Sequence, residues 1–279
     1  MSARSTAVAE AARRLAAAGV VSARNDAEEL AALSLGVERG ELWRHDAVGC
    51  SFGGLVERRV SREPLQHITG RAHFRHVALA VGPGVFVPRP ETELVAEAAI
   101  TAAGAVAARS GRAPVVVDLC TGSGAIIASV VDEVPDVRAY AVELDPAAHA
   151  WAERNLARTG IDLRRGDMAQ AFTDLDGQVD VVVSNPPYIP LGAHIRDPEV
   201  VAYDPGVALW SGDDGLDAVR VVATVAVRLL CPGGLVVVEH ADVQGRAAPA
   251  VLAATPGLTD VADHRDLGGR DRYATARRQ

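Results

Sequence analysis

The sequence predicts an α/β fold: a doubly wound, mostly parallel sheet preceded by a small helical region and a β-hairpin. Three observations carry this reading. From residue 115 onward, Val-rich runs alternate with segments of helical periodicity. The runs show little apolar–polar alternation, as expected of strands covered on both faces. The first run, "VVVDL", leads directly into a Gly-rich turn and a helix start, "CTGSGAII".

The elements follow in order. "STAVAEAARRLAAAGV" has apolar spacing near 3.6 and stops at Gly19. "SARNDAEELAALSLG" repeats the pattern, with Ser22 or Asn25 as cap and Gly36 as stop. A further helix precedes Pro64, because the residue before a proline leaves the α region. Residues 71–87 alternate apolar and polar, and Gly82-Pro83-Gly84 is the expected hairpin turn. Pro90 suits the first turn of a helix, with Glu91 and Glu93 at its positive end. Strands are expected at Val115–Leu119, Arg138–Glu143, Val179–Ser184 and Gly234–Glu239, with a further strand ending near "RRGDMAQAF". Helices are expected at Ala125–Val134, Ala147–Thr159 and Gly215–Leu230, and "GLTDVADH" and "DRYATARR" suit two antiparallel strands. The domains expected are a helical one over 1–70, a hairpin linker over 71–90 and an α/β domain over 91–279.

Composition excludes several functions. All 28 basic residues are arginine, so lysine nucleophiles and Schiff bases are absent. The net charge of −8 argues against a large nucleic-acid footprint, and residues 1–60 balance eight Arg against eight Asp plus Glu. Cys50, Cys120 and Cys231 have no zinc-like spacing, so no metal is expected and a reducing, cytoplasmic setting follows. No apolar run is long enough for a membrane span, and the charged N-terminus reads as an amphipathic helix rather than a leader.

The first strand, turn and helix form a ligand loop. Gly122 and Gly124 permit tight turns and close approach of a ligand to free helix N–H groups. The geometry serves a dinucleotide or S-adenosylmethionine. Ile127 stands where the third glycine of a dinucleotide fingerprint belongs, which disfavours the former. Glu143 ends the second strand, where an acid accepts ribose hydroxyls, and Asp145 is the substitute. Asp118 precedes the loop; Asp167 and Met168 suit an adenine amine and ring.

The fourth strand ends in "SNPPYIP". Two prolines end any ladder there, but a plain turn needs neither Asn185 nor Tyr188. Methyl transfer to an amide or aromatic amine would give both a use. Such a nitrogen has a delocalised lone pair and is a poor nucleophile. The Asn185 side-chain oxygen and the Pro186 carbonyl bind its N–H groups and stabilise developing positive charge. The prolines fix the turn, and Tyr188 packs on the planar acceptor.

The chain resembles the release-factor glutamine methyltransferases (the PrmC or HemK type) over roughly residues 63–276. The resemblance rests on "EPLQHITG", "FVPRPETELV", "DLCTGSGAI", "VSNPPYIP", "ALWSGDDGLD", "LLCPGGLVVVEH", "VQG" and "DLGGRDRYATAR". It implies a Rossmann-like class I domain that uses S-adenosylmethionine to methylate the side-chain amide nitrogen of Gln in the Gly-Gly-Gln motif of class I peptide chain release factors. It also implies that Cys120, Thr121, Gly122, Ser123, Gly124 and Glu143 hold the cofactor, with Asn185 nearby. Asn185, Pro186, Pro187 and Tyr188 become the substrate clamp, and Arg89 and Glu91 supporting residues. The helical region docks substrate by analogy. Three positions depart from the family pattern: Cys120 for glycine, small enough to be tolerated; Glu143 for Asp; and Ala241 for glycine. The alternative is a nucleic-acid adenine or cytosine amino-methyltransferase, which shares the clamp but calls for a basic channel. A non-catalytic scaffold is disfavoured by the retained Asn185 and glycines. His73 and His76 read as surface residues, and the arginines of 265–278, interleaved with Asp, as a solvated face.

Overall fold

The first helical signals form α1 (Ala3–Ala17), α2 (Ala23–Leu35), α3 (Phe52–Val60) and α4 (Leu65–Thr69) in a computed structural model that describes residues 2–279. Ser2 caps α1 by accepting from the Ser5 N–H, and Gly36 ends α2 in the left-handed region. Leu15, Ala27, Leu30, Ala31 and Val56 are buried between these helices.

The second unit begins with β1 (Arg71–Phe74) and β2 (Val77–Ala80), and continues through α5 (Glu93–Ser110), β3 (Val115–Leu119), α6 (Ala125–Glu133), β4 (Arg138–Glu143), α7 (Pro146–Leu156), β5 (Asp162–Arg165) and β6 (Val179–Ser184). There the chain leaves it. Ile195–Tyr203, including α8 (Pro198–Tyr203), belongs to the first unit. No composition shift marked this excursion. Its anchor is Arg59, only 5% exposed, which donates to Asp26 (2.8 Å), Glu199 (2.9 Å) and the Glu63 carbonyl (2.9 Å). From Asp204 the second unit resumes with α9 (Asp217–Leu229), β7 (Leu230–Glu239), α10 (Ala247–Ala254), β8 (Leu258–Arg265) and β9 (Asp271–Arg278).

The large sheet has the order β5-β4-β3-β6-β7-β9-β8; β3 to β7 run parallel and β9 antiparallel to both neighbours. Valine side chains alternate between its faces. Val116, Val181, Val183 and Val237 enter a core with residues of α5, α6 and α7. Val117, Val182, Val236 and Val238 enter another with residues of α9 and α10. This double cover explains the uninterrupted valine runs. β7 starts four residues earlier than expected. Leu230 pairs with Val179 and Leu235 with Val181, so Cys231–Gly234 bulge out between them.

The hairpin turn is a correction. It lies at Arg75-His76, not at Gly82-Pro83-Gly84. Arg75 adopts φ +49 and is held there: its N–H donates to Glu93, and its guanidinium pairs with Glu97 (2.5 Å) and Glu133 (2.6 Å). The Gly-Pro-Gly stretch serves close packing instead. A Cβ at Gly82 would lie 2.6 Å from Trp151 Cζ2, and the Trp151 indole donates to the Pro83 carbonyl. No helix among the described residues is long and apolar enough to cross a membrane.

Gly82→Ala forces that Cβ into the indole. It should cost about 1–3 kcal/mol, read as a lower urea midpoint. Trp151→Leu in the same chain should recover part of the loss. A midpoint equal to wild type would refute the close-approach reading.

Candidate active site

The chain runs from β3 through β4 to β5 on one side, and from β6 to β7 on the other, so the sheet reverses direction between β3 and β6. Ligands of open α/β sheets sit at the carboxyl ends of the strands beside such a switch. Leu119 and Ser184 end the two strands opposite each other, and Ser184 Oγ donates to the Leu119 carbonyl at 2.6 Å. Cys120–Gly124 and Asn185–Tyr188 therefore start side by side.

The first loop is built from β3 outward. Asp118 is fully buried and accepts from Thr121 Oγ1 at 2.6 Å; burial pushes its pKa up to about 7. The Thr121 N–H donates to the Val142 carbonyl, which ties the loop to β4. Gly122 has φ +58, and its N–H donates to Glu143 Oε2 at 2.8 Å. A Cβ there would meet nothing within 4 Å, so the loop faces open space. Cys120 needs a second correction. Its size is accommodated, with Sγ 3.5 Å from Met168 Sδ, but the backbone has φ +62. A side chain in the left-handed region costs roughly 1–2 kcal/mol, a cost that a glycine would avoid.

The acids separate by role. Glu143 is 8% exposed, with Oε1 accepting from the Asp145 N–H and Oε2 from Gly122. Each oxygen keeps a lone pair for a further donor. Asp145 caps α7, its Oδ1 accepting from the Ala147 and Ala148 N–H groups. Asp167 is exposed at the start of a short turn and accepts from the Ala169 N–H. Met168 lies between that turn and Cys120.

The second loop is held from several directions. Asn185 Nδ2 donates to Thr92 Oγ1 at 3.3 Å. Among the described residues nothing donates to Asn185 Oδ1 or to the Pro186 carbonyl, so both acceptors remain available. Tyr188 OH donates to Glu239 Oε1 at 3.3 Å, and burial beside that carboxylate keeps the phenol protonated, far above its ordinary pKa. Ile189 joins Trp210 in a parallel bridge: its N–H donates to Leu209 and its carbonyl accepts from Ser211. Gly215 has φ +76, and a Cβ there would lie 2.4 Å from the Tyr188 carbonyl. That carbonyl accepts from Gln244 Nε2 at 3.1 Å. The "GDDGLD" and "VQG" segments thus scaffold "NPPY".

Of the supporting residues expected, Arg89 turns away to pair with Asp204 at 2.9 Å and covers the Phe86 ring. Glu91 acts at a distance, raising the pKa of Glu239 and Tyr188 through its charge. The sequence reading gave Thr92, Glu239 and Gln244 no role, although "FVPRPETELV", "LLCPGGLVVVEH" and "VQG" contain them. Arg272 corrects the solvated-face reading: it is 8% exposed and pairs with Asp266 at 3.1 Å. Ala241 sits at φ −67, which needs no glycine.

The open space at Gly122 and the buried, half-satisfied Glu143 fit a nucleoside cofactor with two adjacent hydroxyls. Comparisons with known proteins agree. A family model described as the PrmC N-terminal domain matches residues 6–70, and the methyltransferase small domain matches residues 103–196. A release factor glutamine methyltransferase of Streptomyces coelicolor is 55% identical over 97% of this chain and 96% of its own length. One from Mycolicibacterium smegmatis is 44% identical, covering 98% and 97%. A 4-amino-L-phenylalanine/4-methylamino-L-phenylalanine methyltransferase of Streptomyces pristinaespiralis is 42% identical over 88% of this chain and 86% of its own. Among solved structures, the Thermus thermophilus 16S rRNA N2 G1207 methyltransferase shares the fold: TM-score 0.51, 20% identity, 75% of this chain and 50% of that one.

Burial raises the Asp118 pKa to about 7, so folding favours its protonated form. The stabilisation is complete below the unfolded value of about 4 and is lost as pH rises through the folded one. Asp118→Asn, isosteric and neutral, should therefore gain stability relative to wild type between pH 5 and pH 8. Urea midpoints of both proteins at each pH check this; a difference that does not grow with pH would contradict it.

Proposed function

The chain belongs to the release factor glutamine methyltransferase family, and from that premise we propose that it methylates the side-chain amide nitrogen of the Gln in the Gly-Gly-Gln motif of class I peptide chain release factors, using S-adenosylmethionine. The observation that carries this is the pair of acceptors at the switch point, Asn185 Oδ1 and the Pro186 carbonyl, which no group among the described residues fills. A primary amide presents two N–H groups to two such acceptors.

The cofactor supplies an electrophilic methyl on a sulfonium and leaves as a neutral thioether. Everything else belongs to the chain. Gly122 would leave the loop open to the cofactor, Gly124 brings the loop close to Leu156, and the free lone pairs of Glu143 would accept the ribose hydroxyls. Met168 and Asp167 would meet its base, a role supported by the position of Met168 against Cys120. Asn185 and Pro186 hold the substrate NH₂ so that its lone pair faces out of the clamp, and their oxygens stabilise positive charge as it grows on nitrogen. Tyr188 stays protonated and covers the amide plane, so it is no base. None is required, because the methylated amide nitrogen is a strong acid and loses its proton to water afterwards.

The first unit docks the release factor in this reading; its match to the PrmC N-terminal model and its charge balance support a protein partner over a nucleic acid. A substrate that works in translation termination supports a cytoplasmic setting.

A second reading is favoured by the relative that acts on 4-amino-L-phenylalanine, whose aryl NH₂ suits the same two acceptors. The higher identity and fuller coverage of the release factor enzymes favour the first.

Incubation with labelled cofactor should place label on a release factor and none on its Gly-Gly-Gln Gln→Ala variant, with 4-amino-L-phenylalanine left unlabelled. Label on the variant factor would overturn the proposal. Asn185→Ala should lower kcat by about 10²–10³ while cofactor affinity changes less than about threefold. Unchanged turnover would remove the clamp role.

A further inference from the structure

Glu239 ends β7 and is 1% exposed, yet no cation pairs with it among the described residues. The guanidinium whose charge reaches it, Arg272, is paired with Asp266. Burial pushes the Glu239 pKa up to about 7, and packing alone needs no acid there. Its polar neighbours are few. Oε1 accepts from Tyr188 OH, Oε2 has no aligned partner, and the Thr92 hydroxyl lies beside the carboxylate, favouring its charged form.

Thr92 itself is 4% exposed and is the residue to which Asn185 Nδ2 donates. A hydroxyl has one proton. Ionised, Glu239 only accepts, so the Thr92 proton points to it and the Thr92 oxygen is left as an acceptor, an order that holds above the Glu239 pKa. That oxygen takes the NH₂ end of the Asn185 carboxamide and rejects the oxygen end. A flipped Asn185 would turn its NH₂ toward the substrate, opposing donor to donor. The order of one proton therefore decides whether the clamp accepts.

We propose that Thr92 and Glu239 are positioning residues that set the direction of the Asn185 carboxamide, so that Oδ1 and not Nδ2 faces the substrate amide. The inference rests on the proposed role of Asn185 and extends it to two residues from distant parts of the chain. Glu239 does the same for Tyr188, whose hydroxyl it holds.

Two readouts test this. In the protein alone, the Asn185 side-chain NH₂ signal, assigned by its loss in Asn185→Ala, should lie away from the free-amide position in wild type and move to it in Thr92→Val. In turnover on a release factor, Thr92→Val should lose about 10- to 100-fold, the range for groups that orient a reacting ligand. Cofactor affinity should stay within about threefold, and Thr92→Ser should restore most of the activity. In an Asn185→Ala background, Thr92→Val should cost less than about twofold more, because both changes remove one function. Glu239→Gln should lose activity non-additively with Thr92→Val. An unmoved amide signal, or a Thr92→Val loss that multiplies fully in the Asn185→Ala background, overturns the proposal. A wild type that labels no release factor, with the amide signal moving as described, counts against the proposed substrate and leaves the positioning standing.

Discussion

The pairing of β3 with β6 sets where chemistry occurs. Parallel strands keep a fixed register only if both are buried and continuous, and here both are valine runs that end opposite one another at Leu119 and Ser184. The Ser184 hydroxyl closes that end by donating across the gap to the Leu119 carbonyl. A slip of one residue would turn Asn185 from the cofactor side of the edge toward the core. The Cys120–Gly124 and Asn185–Tyr188 loops therefore inherit their separation from the sheet, not from their own flexibility. This is how a rigid core positions two mobile-looking segments of five residues or fewer.

Rigidity at the second loop is then added in layers. The two prolines remove N–H groups, so the Pro186 carbonyl belongs to no ladder and stays free. Ile189 is strapped to Trp210, and the Tyr188 carbonyl is occupied by Gln244. Gly215 exists because the Tyr188 carbonyl passes where its Cβ would stand. These contacts occupy the Tyr188 carbonyl and both backbone groups of Ile189 while leaving Asn185 Oδ1 and the Pro186 carbonyl unfilled among the described residues.

Much of the fold was legible because of what strands need. Val115–Leu119, Arg138–Glu143 and Val179–Ser184 stand at their expected residues, since a buried strand is an apolar run cut off by Gly, Pro or charge. Helix ends moved by one to three residues, where Pro146 and the Asp145 cap, rather than periodicity, set the start. The hairpin turn was misread because Gly-Pro-Gly resembles a turn, whereas Arg75 is held at positive φ by three acids from other elements. The loop glycines and Asn185 announce themselves through local motifs. Thr92, Glu239 and Gln244 lie in quoted motifs too, but the motifs do not show their roles, which depend on meeting residues about 50 to 90 positions away. Arg272 illustrates the same limit: alternation with Asp suggests solvent, but the paired arginine is buried.

The site's polarity follows one rule, that only acceptors face the reacting nitrogen. A donor there would compete with the N–H groups being held and would oppose the positive charge that forms. The phenol of Tyr188 meets the rule because its proton is spent on Glu239. The Asn185 amide meets it only in one of two orientations, and an amide has no intrinsic preference between them. A carboxylate one shell back, acting through a hydroxyl, resolves that choice without itself touching the substrate.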